Sequence, residues 1–304
     1  MTRVFTGSGA NMDRSERWRG GLMVIGATVC WGTMAALAKL LFRDQQVDPL
    51  VLVAVRSYLA TLTLFLVIPL WDRGAVAIDG WGLRAAAVVG LGGLVTNNFL
   101  YFQTIHLTSV ATALLLQYQA PVLVALYTVL VQGQRLSPRL VLALVLGLAG
   151  CGLVVRIYEP GLLRANLPGV LTGLGTAFAF AFYILAGRRA LARLGPWTLL
   201  AYAYLAASGA WLLVVPPWRI VQGGYDAGTW LAFVAIATLG TALPFGLFVS
   251  GLRLLPATQA SVLGMLEPVV ASVAAYAMLG ETLLPLQVLG GLLVLGGVLL
   301  AETA

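Results

Sequence analysis

The sequence predicts an all-α membrane protein of ten transmembrane helices, built as two inverted five-helix repeats. Three observations predict this: the composition, a succession of apolar runs of spanning length, and an internal match at a fixed shift. Of the 304 residues, 60% are hydrophobic and 10% are charged, against roughly 45–50% and 25% in soluble domains. A water-soluble fold of this length has no means of hiding so much apolar surface. The 35 glycines agree, because glycine is more frequent in membrane helices than in soluble ones.

A helix needs about 20 residues to cross a hydrocarbon layer of about 30 Å. Five such runs, at 20–41, 49–71, 81–104, 109–131 and 138–156, make a first repeat over 20–156. Five more, at 168–189, 196–215, 229–251, 257–279 and 285–301, make a second over 168–301. Residues 1–19 form a leading tail, 157–167 link the repeats and 302–304 end the chain. The other connections are short, so any function lies inside the bundle or at its mouths. Arg14, Arg17 and Arg19 before an apolar stretch ending Ala36-Leu37-Ala38 also fit a cleavable signal peptide. That stretch exceeds an ordinary signal core, and a similar run opens the second repeat, so it is read as the first span.

Lys and Arg concentrate in cytoplasmic loops. With the N-terminus inside, the inner segments hold twelve: Arg3, Arg14, Arg17, Arg19, Arg73, Arg84, Arg135, Arg139, Arg188, Arg189, Arg193 and Arg253. The outer segments hold four, Arg43, Arg156, Arg164 and Arg219. The bias places both termini on the cytoplasmic side, and the net charge of +7 then marks orientation rather than a nucleic-acid partner. Cys30 and Cys151 lie inside apolar runs and His106 is the only histidine. There is accordingly no disulfide framework and no metal-ligand spacing, and no cofactor or metal is expected. His106 falls in the turn between spans 3 and 4.

The chain matches itself without gaps at a shift of 147 residues, from Pro49/Pro196 to Leu153/Leu300, with about a quarter of the positions identical. Apolar matches are cheap in such a sequence, so the weight rests on punctuation: Pro69 with Pro216, Trp71 with Trp218, Gly93 with Gly240, Pro121 with Pro268, Gly133 with Gly280, Pro138 with Pro285, and Gly150 with Gly297. Five spans per unit is an odd number, so the second unit enters the membrane in the opposite sense. Inverted units joined by a pseudo-twofold axis in the membrane plane are a common build of secondary transporters, with the solute site near mid-depth between them.

The first repeat carries Trp31-Gly32-Thr33 and Lys39 in its first span, Arg56-Ser57-Tyr58-Leu59-Ala60 in its second, and Leu107 to Pro121 leading to Gly133. The second repeat carries Leu266-Glu267-Pro268-Val269 and Gly280-Glu281-Thr282-Leu283. At these residues the chain resembles the EamA branch of the drug/metabolite transporter superfamily. Gly133-Gln134 departs from the usual Gly-Glu, which argues against an acid's role there in the first repeat. The resemblance implies ten helices, cytoplasmic termini, a cavity lined by helices 1–4 and 6–9, and export or exchange of small organic metabolites without nucleotide hydrolysis.

The repeat also filters residues. A feature present in both units serves the scaffold, whereas a polar residue with an apolar mate serves something else. Glu267, about ten residues into span 9, has the mate Ala120; an acid at that depth costs about 2.5–3.5 kcal/mol on insertion scales. It would bind an amine or carry a coupling proton, or else only lock packing. The paired Pro121 and Pro268 each remove a helix hydrogen bond, freeing the carbonyls of Gln117 and Gly264. Arg56, with the mate Ala203, would hold a substrate carboxylate bidentately or form a gate. Lys39 lies near a span end, where its side chain snorkels to the interface.

Asn97, Asn98 and Tyr101 face Pro244, Phe245 and Phe248 in the alignment, and Gln117, Tyr118 and Gln119 face Gly264, Met265 and Leu266. Three consecutive residues cannot share one helix face, and Gln117 is the best placed. Trp31 and its mate Phe178, with Phe180, Phe182, Tyr183, Tyr202 and Tyr204, suggest an aromatic-lined cavity suited to an amphipathic metabolite or a cation. The candidate cavity residues are therefore Glu267, Arg56, Gln117, Tyr118, Asn98, Tyr101, Trp31, Phe178, Tyr183 and Tyr202. Glycines in spans 5 and 10, from Gly147 to Gly152 and Gly290 to Gly297, allow close helix contact, either in a homodimer or within one chain.

The sequence reads best as a carrier exporting or exchanging an amino acid or a related small metabolite by alternating access. Efflux of drugs or quaternary amines is an alternative within transport. An integral enzyme acting on lipid is the alternative of another class, but no nucleophile elbow, histidine-rich site, paired acids or phosphate-binding glycine loop supports it.

Overall fold

The computed structural model describes residues 14–71, 73–159 and 166–303. Residues 1–13, Asp72, 160–165 and Ala304 lie outside the described residues, and with them Arg3, Arg164 and most of the leading tail and linker; so do the side chains of Arg14, Trp71 and Arg73. Among the described residues all regular structure is helical. Among the described residues nine helices are long and apolar enough to cross a membrane, α1 (Ser15–Asp44), α2 (Pro49–Leu70), α3 (Gly80–Leu107), α4 (Val110–Leu130), α6 (Leu167–Ala190), α7 (Pro196–Val214), α8 (Ala227–Leu254), α9 (Ala257–Leu279) and α10 (Pro285–Glu302), and a shorter apolar helix, α5 (Pro138–Val154), makes ten. α5, at 17 residues, is the shortest. His106 belongs to the last turn of α3 rather than to a loop.

Helix starts follow from capping chemistry. The side chains of Asp79, Ser109, Ser137, Asn166 and Asp226 each accept a hydrogen bond from the backbone N–H three residues on, at 2.7–3.2 Å, satisfying one of the free donors of the first turn. Prolines open α2, α5, α7 and α10, where a missing N–H costs nothing and the fixed φ suits a helix.

The repeat is visible in the main irregularities of the helices. α3 carries a π-helical turn at Val89–Val95, and α8 carries one at Thr238–Ala242. α4 breaks between Gln117 and Ala120, and α9 breaks between Gly264 and Glu267. Gly133 and Gly280 take left-handed backbone at φ 66° and 67°, which other residues adopt at a cost. All three pairs are separated by the 147-residue shift. Thr61 of α2 and Ser208 of α7, themselves repeat mates, meet at 2.9 Å between hydroxyl oxygens, so the pseudo-twofold axis passes between them.

Two three-helix bundles follow, one of α1, α8 and α9, the other of α6, α3 and α4, with α2 against α7 and α5 against α10 on the axis. Equivalent positions make the bundles' internal contacts. A Cβ on Gly251 of α8 would lie 2.7 Å from the Gly20 carbonyl oxygen of α1. At its mate in the other bundle, the Thr104 hydroxyl of α3 donates to Thr172 of α6 at 3.0 Å. At the end where α1 starts and α10 finishes, the terminus end, the bundles touch. Thr128 of α4 meets Thr258 of α9 at 3.1 Å, and the Arg188 guanidinium of α6 donates to the Leu252 carbonyl of α8. Toward the far end they separate, and the mates Ala111 and Ala275 line an open cavity.

The glycines of α5 and α10 are used inside the chain. A Cβ on Gly150 would lie 2.5 Å from the Gly290 carbonyl oxygen, and one on Gly297 would lie 2.7 Å from that of Ala143. These contacts are exchanged by the axis. Of the two uses the sequence left open, packing within the chain accounts for these contacts. Close backbone approach is the main source of helix association where lipid is as apolar as the side chains. Gly150→Leu should therefore destabilise the protein by about 1–3 kcal/mol, read as a lower midpoint of thermal unfolding in detergent. Gly296→Leu, at a position with open space around it, should leave the midpoint unchanged.

Candidate substrate cavity

The cavity between the bundles has a volume of about 640 Å³, within the range of ordinary small-molecule sites. It runs from mid-depth to the far end. Helices α1–α4, α6, α8 and α9 line it, with Val154 at the end of α5. α7 contributes no lining residue, which departs from the helix set the resemblance implied.

Arg56 reaches the cavity from α2. Its Nη2 donates to Asn98 Oδ1 at 2.5 Å, and Asn98 Nδ2 donates onward to the Leu94 carbonyl at 2.7 Å. The Leu94 and Asn98 positions flank the end of the π-helical turn, which aims Asn98 at α2. Asn97 reaches the other way, donating to the Thr176 carbonyl of α6 at 3.1 Å, and ties α3 to its bundle. Gly93 permits this crossing, since a Cβ there would lie 2.8 Å from Tyr183 Cβ.

Gln117 and Tyr118 both line the cavity, although consecutive residues of an unbroken helix point 100° apart. The break in α4 resolves this. Gln119 turns away, donating from Nε2 to the Leu115 carbonyl at 3.2 Å. The matching break in α9 places Glu267 at the first position of its outer segment, with its side chain in the cavity wall. Cys151 donates to the Met265 carbonyl inside this break at 3.6 Å, a use of the thiol as a weak packing donor.

Of the ten candidate residues, eight line one cavity: Glu267, Arg56, Gln117, Tyr118, Asn98, Tyr101, Trp31 and Tyr183. Two do not. Phe178 is 61% exposed on the outer surface of α6, so the aromatic pairing with Trp31 does not place both rings at the site. Tyr202 donates to the Val76 carbonyl at 2.7 Å and packs edge-on against Phe65, closing the loop after α2 instead. Phe182 faces outward as well, while Phe180 lies in the cavity floor.

Some lining residues escaped the sequence reading. Ser272 of α9 lies in the wall; its mate is Ala125, so the asymmetry filter would have found it. Lys39 does not merely snorkel: it forms an ion pair with Glu281 at the far-end mouth, joining α1 to the residue after Gly280. Both groups are about half exposed, where such a pair contributes little energy. No local signal announces that contact.

Arg56 and Glu267 share the cavity, yet no ion pair joins them among the described residues. The arrangement presents one guanidinium and one carboxyl group within the same cavity, among amides, hydroxyls and rings. No group of three or more His, Cys, Asp or Glu capable of holding a metal occurs among the described residues.

Comparison with known proteins gives a consistent picture. The model of the EamA-like transporter family matches residues 18–156 and 167–303. An uncharacterized transporter of Archaeoglobus fulgidus is 34% identical over 69% of this chain and 74% of its own. The threonine/homoserine exporter RhtA of Escherichia coli is 31% identical over 70% and 67%, and the uncharacterized inner membrane transporter YicL of Salmonella typhimurium is 27% identical over 93% and 94%. A crystal structure shares the fold at a TM-score of 0.78, with 23% identity, over 93% of this chain and 96% of that one. The chain belongs to the EamA-like transporter family and is a multi-pass membrane transporter, not an enzyme.

Proposed function

We propose that the chain exports a small amino acid, or a metabolite with the same zwitterionic head, by alternating access across a bacterial inner membrane. The observation that carries this reading is the cavity's unpaired charge couple. An isolated ion at mid-depth is costly, and a zwitterion satisfies both charges at once, its carboxylate on the Arg56 fork and its ammonium on Glu267. A lone cation, such as a quaternary amine, would gain Glu267 but leave Arg56 uncompensated in the same low-dielectric space. The name of the relative RhtA agrees with an amino-acid cargo.

Orientation is read from charge bias. The terminus end carries Arg139, Arg188, Arg189 and Arg193, of which Arg193 lies over the Trp81 ring at 4.8 Å and Arg139 donates to the Thr303 carbonyl at 3.4 Å. The positive-inside rule makes this the cytoplasmic end, and the cavity then faces outward. A proton on Glu267 would compete with the substrate ammonium for the same carboxylate. Release outward and proton entry are thereby linked by competition, which makes proton coupling the natural mode.

Three expectations test this. Purified protein should be stabilised against heat by a free amino acid, but not by its N-acetyl or amide derivative or by a quaternary amine, since only a ligand of the folded state raises apparent stability. Arg56→Lys, which keeps charge and loses the fork, should weaken binding by about tenfold or more. Glu267→Gln should abolish uptake into inverted vesicles while the protein still reaches the membrane, and transport with unaltered pH dependence in that variant would remove the proton role.

A further inference from the structure

The contacts that close the terminus end are not available at the far end. Closure is made between α6 of one bundle and α8 of the other. Phe180 and Tyr183 of α6 lie against Phe245 and Phe248 of α8, with ring centroids 5.9–6.5 Å apart, and Trp31 of α1 backs both phenylalanines at 4.8 and 5.4 Å. The Arg188 bond to the Leu252 carbonyl and the Thr128–Thr258 hydroxyl contact complete it. Carried through the repeat, the residues that would close the far end are Thr33 and Ala36 against Asn98 and Tyr101, Leu41 against Ile105, and Ala111 against Ala275. Four interdigitating rings become one. The guanidinium becomes a leucine and both hydroxyls become methyl groups.

We infer that the ligand-free chain rests open at the far end and moves solute by exchange faster than by net flow, because its closing contacts are built into one end only. This rests on the carrier reading above. Net movement requires the empty protein to exchange the ring cluster for the sparse far-end set. A bound solute alters that balance by bridging the separated walls, from Arg56 and the α3–α4 side to Glu267 and Ser272 on α9, supplying contacts the far end lacks. Two groups keep the terminus end from closing too firmly. Trp31 Nε1 and the Tyr183 hydroxyl are buried there with no hydrogen-bond partner among the described residues, and unpaired buried donors weaken the state that buries them.

The test separates the resting state from the solute. Ser272 is replaced by cysteine in a chain lacking Cys30 and Cys151, and ligand-free protein in liposomes is labelled with an impermeant maleimide from either side. Labelling should come from the far side alone. Arg188→Leu combined with Thr128→Ala, each substitution importing the far-end mate, should admit label from the terminus side as well, by about tenfold. Tyr183→Phe added to the double variant, which keeps the ring and removes the orphan hydroxyl, should reduce that terminus-side labelling. In the same liposomes, exchange of an amino acid identified by thermal stabilisation should exceed its net efflux by about tenfold, and the double variant should narrow that ratio. Labelling of the ligand-free parent from both sides, or net efflux equal to exchange, overturns the inference. One-sided labelling with no amino-acid movement upholds the resting asymmetry and counts against the solute assignment alone.

Discussion

Backbone that departs from the α-helix at the depth of the hydrocarbon must face protein or water, because lipid offers its N–H and C=O groups no partner. That constraint organises this molecule. The π-helical turns of α3 and α8 and the broken turns of α4 and α9 are four departures at corresponding depths, and their neighbours Gly93, Asn98, Tyr118, Gly240 and Glu267 all line the cavity. The irregular turns of these four helices border the cavity, while the unbroken α2, α5, α7 and α10 pair on the axis. The cavity is where the fold must put its irregular backbone. Its polar side chains then find a medium already less hostile than acyl chains.

Within that cavity the decisive feature is a charge couple held apart. A buried arginine and glutamate usually meet, since the mutual attraction offsets part of the desolvation of each. Here Arg56 is anchored sideways on Asn98, and Asn98 is itself fixed to the Leu94 carbonyl. The anchor holds the guanidinium on the α2–α3 wall and away from α9. Under the function proposed above, a site built this way selects a ligand carrying both signs by geometry as much as by charge.

Much of the scaffold was legible in the sequence because its signals are periodic or punctuating. Apolar runs of spanning length set the helices, and prolines and glycines at a constant shift set the repeat. The asymmetry between mates picked out Glu267, Arg56, Asn98 and Gln117 without any structure. It failed for Phe178 and Tyr202 for a physical reason: an aromatic ring is equally at home in lipid, at a loop closure or in a cavity, so its identity does not fix its facing. Tyr118 and Gln117 could not be placed together by helical spacing because the break between them is a backbone event; Pro121 hinted at it without locating it. The Lys39–Glu281 pair spans 242 residues of sequence and has no local signature.

Divergence between the repeats is what turns a symmetric frame into a directed machine. Two identical inverted units would close equally well at either end and would present the same residues to a solute from both sides. In this chain the α3 segment that holds Asn98 and Tyr101 faces the cavity, while the matching α8 segment holds Phe245 and Phe248 and seals the floor. One copy of the motif has become the cavity wall and the other the plug. The same two positions therefore line the wall in the first repeat and seal the floor in the second, and neither role is open to the other copy without exchanging an amide and a phenol for two phenyl rings. The frame's symmetry supplies two end states, and the difference between mates sets which of them is deeper and where the solute is held.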